Sequence, residues 1–376
     1  MNHRMNTGRI AIFLPRMAGG GAEKNLIKYA NILSEHYRVS LVIGQEGGAL
    51  KTELSDKFEV LRLKRSNILK TLPDWFKFLK LKKFDCVITS LHNAGNVIAL
   101  AKIFSGSSIP IFFREAIAPK QAWESARFSV RVHIFAARIL FRFYSGIISV
   151  SEEMVQEIAS FYSLKKDRVL LVRNPVIGED FKILMQETVK EGLPKAEKNI
   201  VAIGRMDFQK GFDMLLKSLD LLRNKFKNIH LTILGEYNKE DAYYLQIIKI
   251  IHELRLEEYV TIKGYVSNPL PYLHKADLFV LSSRYEGLPN VLIQALATGV
   301  PVVSTACKTG PTEILENGKY GRLVQVDDFH ALANAMELTL EEDRQLMEKE
   351  RIERGYYYHE SLAAQDLFEV IKRAGL

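Results

Sequence analysis

Short β-branched or apolar runs alternate with helix-length segments along almost the whole chain, and this alternation restricts the fold more than any other feature. Residues 10–14, 39–43, 86–89, 111–113, 147–150 and 169–172 read as strands. A second series follows at 200–203, 231–234, 260–262, 278–281, 302–304 and 322–324. Helical patterns such as 22–34, 212–225 and 241–254 lie between them. Strands separated by helices imply parallel sheets covered on both faces. Two such series imply an α/β protein of two doubly wound, Rossmann-like domains.

A length of 376 residues exceeds one ordinary core and agrees with two domains. The weakly patterned, charged stretch 182–198 marks the boundary, giving domains at 1–185 and 186–359. A last helix, about 360–376, has no strand after it, and packing back on the first domain is left open. No apolar run approaches the roughly 18–20 residues that span a bilayer, and 10–14 is too short for a signal peptide. A cytoplasmic protein with both cysteines, Cys86 and Cys307, reduced is the expectation. Residues 1–190 contain 29 Lys+Arg against 17 Asp+Glu, or +12, and the remainder 23 against 27, or −4. The basic first half therefore suits an anionic partner, a nucleic acid or a membrane surface.

The segment from Tyr285 to Pro301, YEGLPNVLIQALATGVP, reads as a short helix with both ends marked. Pro289 suits its first position, Gly299 a left-handed residue past its end, and Pro301 opens the next strand. Glu286 precedes amides able to hold an anion, and Asn290 and Gln294 share one face. Earlier, Gly204-Arg205-Met206-Asp207-Phe208-Gln209-Lys210-Gly211 follows a strand, where open α/β sheets bind ligands. Arg205 and Lys210 there suit a diphosphate, the alternative being a solvated basic loop. Gly19, Gly20 and Gly21, before Ala22-Glu23, permit close backbone approach to a ligand or make a plain tight turn. They lack the dinucleotide-binding spacing.

Taken in order, G-G-G-A-E, S-V-S-E-E-M, N-P-V, G-R-M-D-F-Q-K-G and E-G-L-P-N-V-L-I-Q-A-L-A-T-G-V-P-V-V resemble glycosyltransferase family 4 over nearly the whole chain. The resemblance implies the GT-B fold, two Rossmann-like domains facing across a cleft. It also implies retention at the anomeric carbon and a nucleotide-sugar donor held mostly by the C-terminal domain. Arg205 and Lys210 would hold the donor diphosphate, and Glu286 the donor sugar. Gly287, Leu288, Pro289, Asn290 and Val291 would add contacts, Gly19–Gly21 would face the sugar, and Tyr265 and Val266 the base. Gly235 and Glu236 would lie on a neighbouring loop.

Two positions depart from the family pattern. Gln294 stands where a second glutamate usually meets the ribose; an amide still hydrogen-bonds hydroxyls, without charge. A histidine common after the strand at 111–113 is replaced by Ala116, with Arg114 and Glu115 beside it. His92 follows another first-domain strand and can face the cleft, or serve as a satisfied structural histidine. Ser151 and Glu152 open a helix, as a cap or as acceptor contacts. No D-x-D motif is found, so neither a metal nor another cofactor is expected.

On the acceptor side, residues 73–84 mix aromatics with lysines and suit a membrane interface as a basic amphipathic helix. Arg127, Arg131, Arg138 and Arg142 fall on one helical arc, with Phe128, Phe135, Phe141, Phe143 and Tyr144 interleaved; a solvated helix is the plainer alternative. With the +12 half, this points to peripheral contact with the inner face of an anionic membrane. The function expected is transfer of a UDP-hexose or UDP-N-acetylhexosamine sugar to a polyprenyl-diphosphate-linked glycan, in surface polysaccharide or lipopolysaccharide synthesis. A soluble acceptor and a weakly catalytic carbohydrate-binding scaffold are the rivals. Without a recognised motif, nucleic acid is not an expected partner.

Overall fold

The computed structural model describes residues 7–17, 21–45, 54–125, 128–189 and 191–376. Among these, thirteen strands form two all-parallel sheets, and the fold is GT-B. Two compact units divide the chain, Met1–Pro175 with Glu360–Leu376, and Val176–His359.

The first unit holds β1 (Arg9–Leu14), β2 (Arg38–Ile43), β3 (Glu59–Arg62), β4 (Cys86–Ser90), β5 (Ile111–Arg114), β6 (Gly146–Ser149) and β7 (Val169–Leu171), ordered 3-2-1-4-5-6-7. The strand β1 shows why the sheet is covered on both sides. Ile10, Ile12 and Leu14 enter a core with Leu26, Tyr29 and Leu33 of helix Gly21–Ser34 and with Leu367, Val370 and Ile371 of helix Glu360–Arg373. Phe13, on the opposite face, meets the ring of Trp75 at 4.9 Å, edge on. The last helix is fixed by Asp366, which accepts two hydrogen bonds from the Arg173 guanidinium at 2.8 and 2.9 Å.

The second unit holds β8 (Lys198–Ile203), β9 (Ile229–Leu234), β10 (Val260–Gly264), β11 (Leu278–Leu281), β12 (Val302–Thr305) and β13 (Arg322–Val324), ordered 10-9-8-11-12-13. Ile200, Ala202, Leu231, Ile233, Val280 and Val303 build its core with helices Phe212–Leu222 and Phe329–Glu341. Strand order reverses between β1 and β4 in one sheet and between β8 and β11 in the other. Those are the points at which doubly wound sheets open a crevice at their strand ends.

The structure differs from the sequence reading in three places. β3 is an extra edge strand, short and charged at both ends, paired only with β2. Residues 176–185 belong to the second unit: Phe181 packs on Tyr356 at 6.2 Å, and Ile177 forms a parallel bridge with His359. The aromatic segment 73–84 does form a helix, Leu72–Lys80, but Trp75, Leu79 and Phe84 are buried. Its aromatics therefore largely serve the core, while Lys77, Lys80 and Lys82 stay in water.

Candidate functional site

The loop Gly204–Gly211 leaves β8 and the loop Ser282–Pro289 leaves β11, so the switch point of the six-stranded sheet brings them side by side. Gly211 has φ +62°, and a Cβ there would lie 2.2 Å from the Ser282 carbonyl oxygen. Only glycine allows the two backbones so close. The Ser282 hydroxyl donates to the Lys210 carbonyl at 2.8 Å, and the Arg284 N–H to the Gln209 carbonyl at 2.7 Å. The Gln209 amide donates to the Tyr285 carbonyl at 2.8 Å.

This stitching places Lys210 Nζ 2.6 Å from Glu286 Oε1, with side chains only 14% and 8% exposed. Ser283 donates to the same Oε1 at 2.6 Å, and Thr309 to the Glu286 carbonyl at 2.7 Å. Both charges are largely dehydrated, so each depends on the other. Helix Asn290–Ala297 starts just beyond, and Leu292 and Ile293 are the N–H groups that turn back to the Pro289 carbonyl. The N–H groups of Gly287, Leu288, Asn290 and Val291 thus precede the first helical hydrogen bonds, directly after Glu286 in the chain. Gly287, Leu288 and Pro289 are buried, Asn290, Val291 and Gln294 partly so, with Gln294 one turn along from Asn290.

Arg205 does not join this pair. It is 64% exposed and 3.3 Å from Asp207, whose carboxyl is pushed up by burial despite the nearby Arg205 and Lys210. Gly235, after β9, packs directly on this loop: a Cβ would lie 1.8 Å from the Gly204 carbonyl oxygen. Tyr265 is half-exposed and Val266 partly buried after the edge strand β10. Sequence reading assigned no role to Gln209, Ser283 or Arg284, although all three lie inside or beside its motifs.

At the other switch point, His92 starts helix His92–Ser105 after β4, and Glu115 follows β5. Glu115 is buried and accepts from the Tyr162 hydroxyl at 2.8 Å; His92 Nε2 is 3.0 Å from the same oxygen and 2.9 Å from the Tyr162 hydroxyl. Burial, and then the Glu115 charge, push the Tyr162 phenol well above its usual range. The carboxylate of Glu115 and the hydroxyl of Tyr162 thus both meet the same ring nitrogen of His92. Tyr162, on neither strand nor motif, had no sequence signal.

Arg114 points the other way, as alternation along a strand requires. It is fully buried, donates to Asn174 at 2.6 Å and lies over the Tyr29 ring at 5.7 Å. Among the described residues its Nε and Nη1 meet no hydrogen-bond partner. Gly21 opens the first helix, whereas Gly19 and Gly20 lie outside the described residues. Ser151 caps helix Glu152–Phe161 by accepting from the Met154 N–H at 3.3 Å. Burial pushes the Cys86 thiol up to about 12 and Cys307 higher still, so neither is a ready nucleophile. Among the described residues no cluster of His, Cys, Asp or Glu is arranged for a metal.

Helix Phe128–Leu140 buries Ile134 and Ala137 and leaves Phe128, Val132, Phe135 and Ile139 exposed, spaced as one stripe. Phe128 is 83% and Phe135 56% exposed. Arg138 and Arg142 lie over the rings of Phe161 and Phe143, while Arg131 is turned back to the Trp123 and Glu124 carbonyls. Arg127 lies outside the described residues. None of the described helices is long and apolar enough to cross a membrane.

Residues 197–342 match the family model "Glycosyl transferases group 1". A Campylobacter jejuni enzyme named N-acetylgalactosamine-N,N'-diacetylbacillosaminyl-diphospho-undecaprenol 4-alpha-N-acetylgalactosaminyltransferase is 27% identical, covering 89% of this chain and 91% of its own. A second from that organism, a GalNAc-alpha-(1->4)-GalNAc-alpha-(1->3)-diNAcBac-PP-undecaprenol alpha-1,4-N-acetyl-D-galactosaminyltransferase, is also 27% identical, with 89% of each chain covered. Among solved structures, a glycosyltransferase from Rickettsia africae superposes with a TM-score of 0.78 at 17% identity over 98% of this chain and 99% of its own. HepE from Anabaena, in complex with UDP and glucose, gives 0.75 at 20% identity over 97% and 99%.

Proposed function

We propose that this chain, whose residues 197–342 match the group 1 glycosyltransferases, moves a sugar from a UDP-sugar to a polyprenyl-diphosphate-linked glycan. An N-acetylhexosamine is the favoured sugar, and surface polysaccharide or lipopolysaccharide synthesis the setting. The names of the two Campylobacter relatives support the transferred sugar and the acceptor class. The observation that carries the reading is the Lys210–Glu286 pair at the switch point, inside the matched region.

The pair gives the chemistry its order. A donor diphosphate draws Lys210 away from Glu286, and the released carboxylate then accepts hydrogen bonds from the donor sugar. Arg205, exposed beside it, closes on the phosphates as a bidentate partner. The acceptor hydroxyl oxygen attacks the anomeric carbon while the bond to the diphosphate oxygen breaks, its electron pair passing to the phosphate. Lys210, Arg205 and the amides before helix Asn290–Ala297 hold that charge. The acceptor proton goes to a donor phosphate oxygen on the same face, which retains configuration. Retention is supported by the α-linkages in both relatives' names, because UDP-N-acetylhexosamines carry an α-linked sugar. With cations and amides on the leaving group, the reaction is proposed to run without a metal.

The stripe Phe128–Val132–Phe135–Ile139, with Arg138 and Arg142 beside it on a basic half, supports peripheral contact with the inner face of an anionic membrane. A transfer assay with radiolabelled UDP-N-acetylhexosamines, a polyprenyl-diphosphate disaccharide and a soluble glycoside tests the function. Label in the lipid product is expected. Label confined to the soluble glycoside would overturn the acceptor assignment, and absence of transfer to either would overturn the whole reading.

A further inference from the structure

The two loops that carry Lys210 and Glu286 share one further side chain. Arg284 sits two residues before Glu286, yet its guanidinium turns away from that carboxylate. Nη1 and Nη2 donate to the two oxygens of Asp213 at 2.9 and 2.8 Å, and Nη1 also donates to the Phe208 carbonyl at 2.9 Å. The plane lies over the Phe208 ring at 3.9 Å, and Nε is 2.8 Å from Asp327 Oδ1, without hydrogen-bond alignment. Asp213, in the first turn of helix Phe212–Leu222, also accepts from the Tyr243 hydroxyl at 2.6 Å. Arg284 and Asp213 are about equally enclosed, at 12% and 13% exposed.

We propose that Arg284 is a positioning residue for the donor site: it fixes the turn Phe208–Lys210 against the Glu286 loop and so sets where the Lys210 ammonium stands. The inference rests on the donor-site reading above. The guanidinium grips the turn at the Phe208 carbonyl and ring, in addition to the backbone N–H of Arg284 on the Gln209 carbonyl, while Asp213 anchors the grip to the helix that follows. Lysine has the charge but neither the plane that stacks on Phe208 nor the fork that spans a carboxylate. Arg284 touches neither Lys210 nor Glu286 directly, so its effect reaches the ligand through backbone placement.

Calorimetric titration with UDP, donor and acceptor KM, and melting temperature test the assignment on Arg284→Lys and on the paired change Arg284→Met with Asp213→Leu. The paired change removes both charges together, so no buried carboxylate is stranded. UDP affinity is expected to fall about tenfold in both variants, with donor KM rising alike and acceptor KM unchanged. Unchanged UDP affinity with a lowered melting temperature would reduce Arg284 to a structural residue and overturn the proposal. Lys210→Ala is the reference. If it weakens UDP binding and the Arg284 variants do not, only the positioning role fails; if it too leaves UDP binding intact, the donor-site reading fails and the inference with it.

Discussion

The two sheets reverse their strand order in the same way, yet their switch points carry different chemistry. At β8 and β11 a lysine and a glutamate form a nearly dehydrated ion pair on loops tied together by backbone hydrogen bonds. At β4 and β5 a buried glutamate is satisfied by a tyrosine and a histidine. A pair of opposite formal charges suits exchange against a phosphate. A hydrogen-bonded histidine suits a neutral hydroxyl. Under the proposed function, one topology thus offers one site for an anion and another for a sugar alcohol.

The comparison breaks most visibly at Lys210. Lys210→Ala should lower turnover by about 10²- to 10³-fold, the usual cost of losing one preorganised charge-stabilising donor. A loss below about threefold in single-turnover transfer would remove the anion role from this switch point. Glu286→Gln sharpens the contrast because its two effects separate. Turnover should drop about tenfold or more as the charged contact to the sugar is lost, while UDP binds at least as tightly, since Lys210 no longer has to leave a carboxylate. Weaker UDP binding in this variant would refute partner exchange.

The first unit should respond differently. Glu115→Gln keeps the volume but withdraws the charge that orients His92, so acceptor KM should rise about fivefold to tenfold with donor KM unchanged. A rise in donor KM instead would erase the division of labour. Phe135→Glu, on the exposed stripe, should weaken cosedimentation with anionic vesicles and leave the melting temperature within a degree or two. Equal vesicle binding would assign that face to another partner.

The smallest effect concerns acid. Burial alone would raise the Asp213 carboxyl, but hydrogen bonds from Arg284 and Tyr243 outweigh it and hold the value below the ordinary range. Its contribution to stability is therefore complete above about pH 4 and lost as the pH falls through the lowered folded value. Asp213→Asn should flatten that acid limb in a series of melting curves, and an unaltered limb would refute the linkage.

Legibility followed contiguity. The candidate site of the second unit is written in two uninterrupted motifs, because a loop leaving a strand keeps neighbouring side chains close in sequence. The first unit gathers His92, Glu115 and Tyr162 from two strand ends and a helix, and no local pattern joins them. The glycine at 299 was readable for the same local reason, and it takes φ +82° after the helix. The strand β3 escaped because an edge strand with Glu59 and Arg62 at its ends lacks the apolar run of a buried one. Trp75 misled in the opposite sense: lysines around an aromatic look interfacial, but one face of the helix carries the ring inward and the other carries the charges out.

The helix Glu360–Arg373 also sets an order on synthesis. The second unit lies wholly within Val176–His359, so its residues all leave the ribosome before the first unit has received its closing helix. Until Leu367, Val370 and Ile371 arrive, the core around Leu26, Tyr29 and Leu33 stays uncovered. Loss of the segment from Leu367 onward would therefore open the core of the unit translated earliest, while the second unit kept every one of its residues.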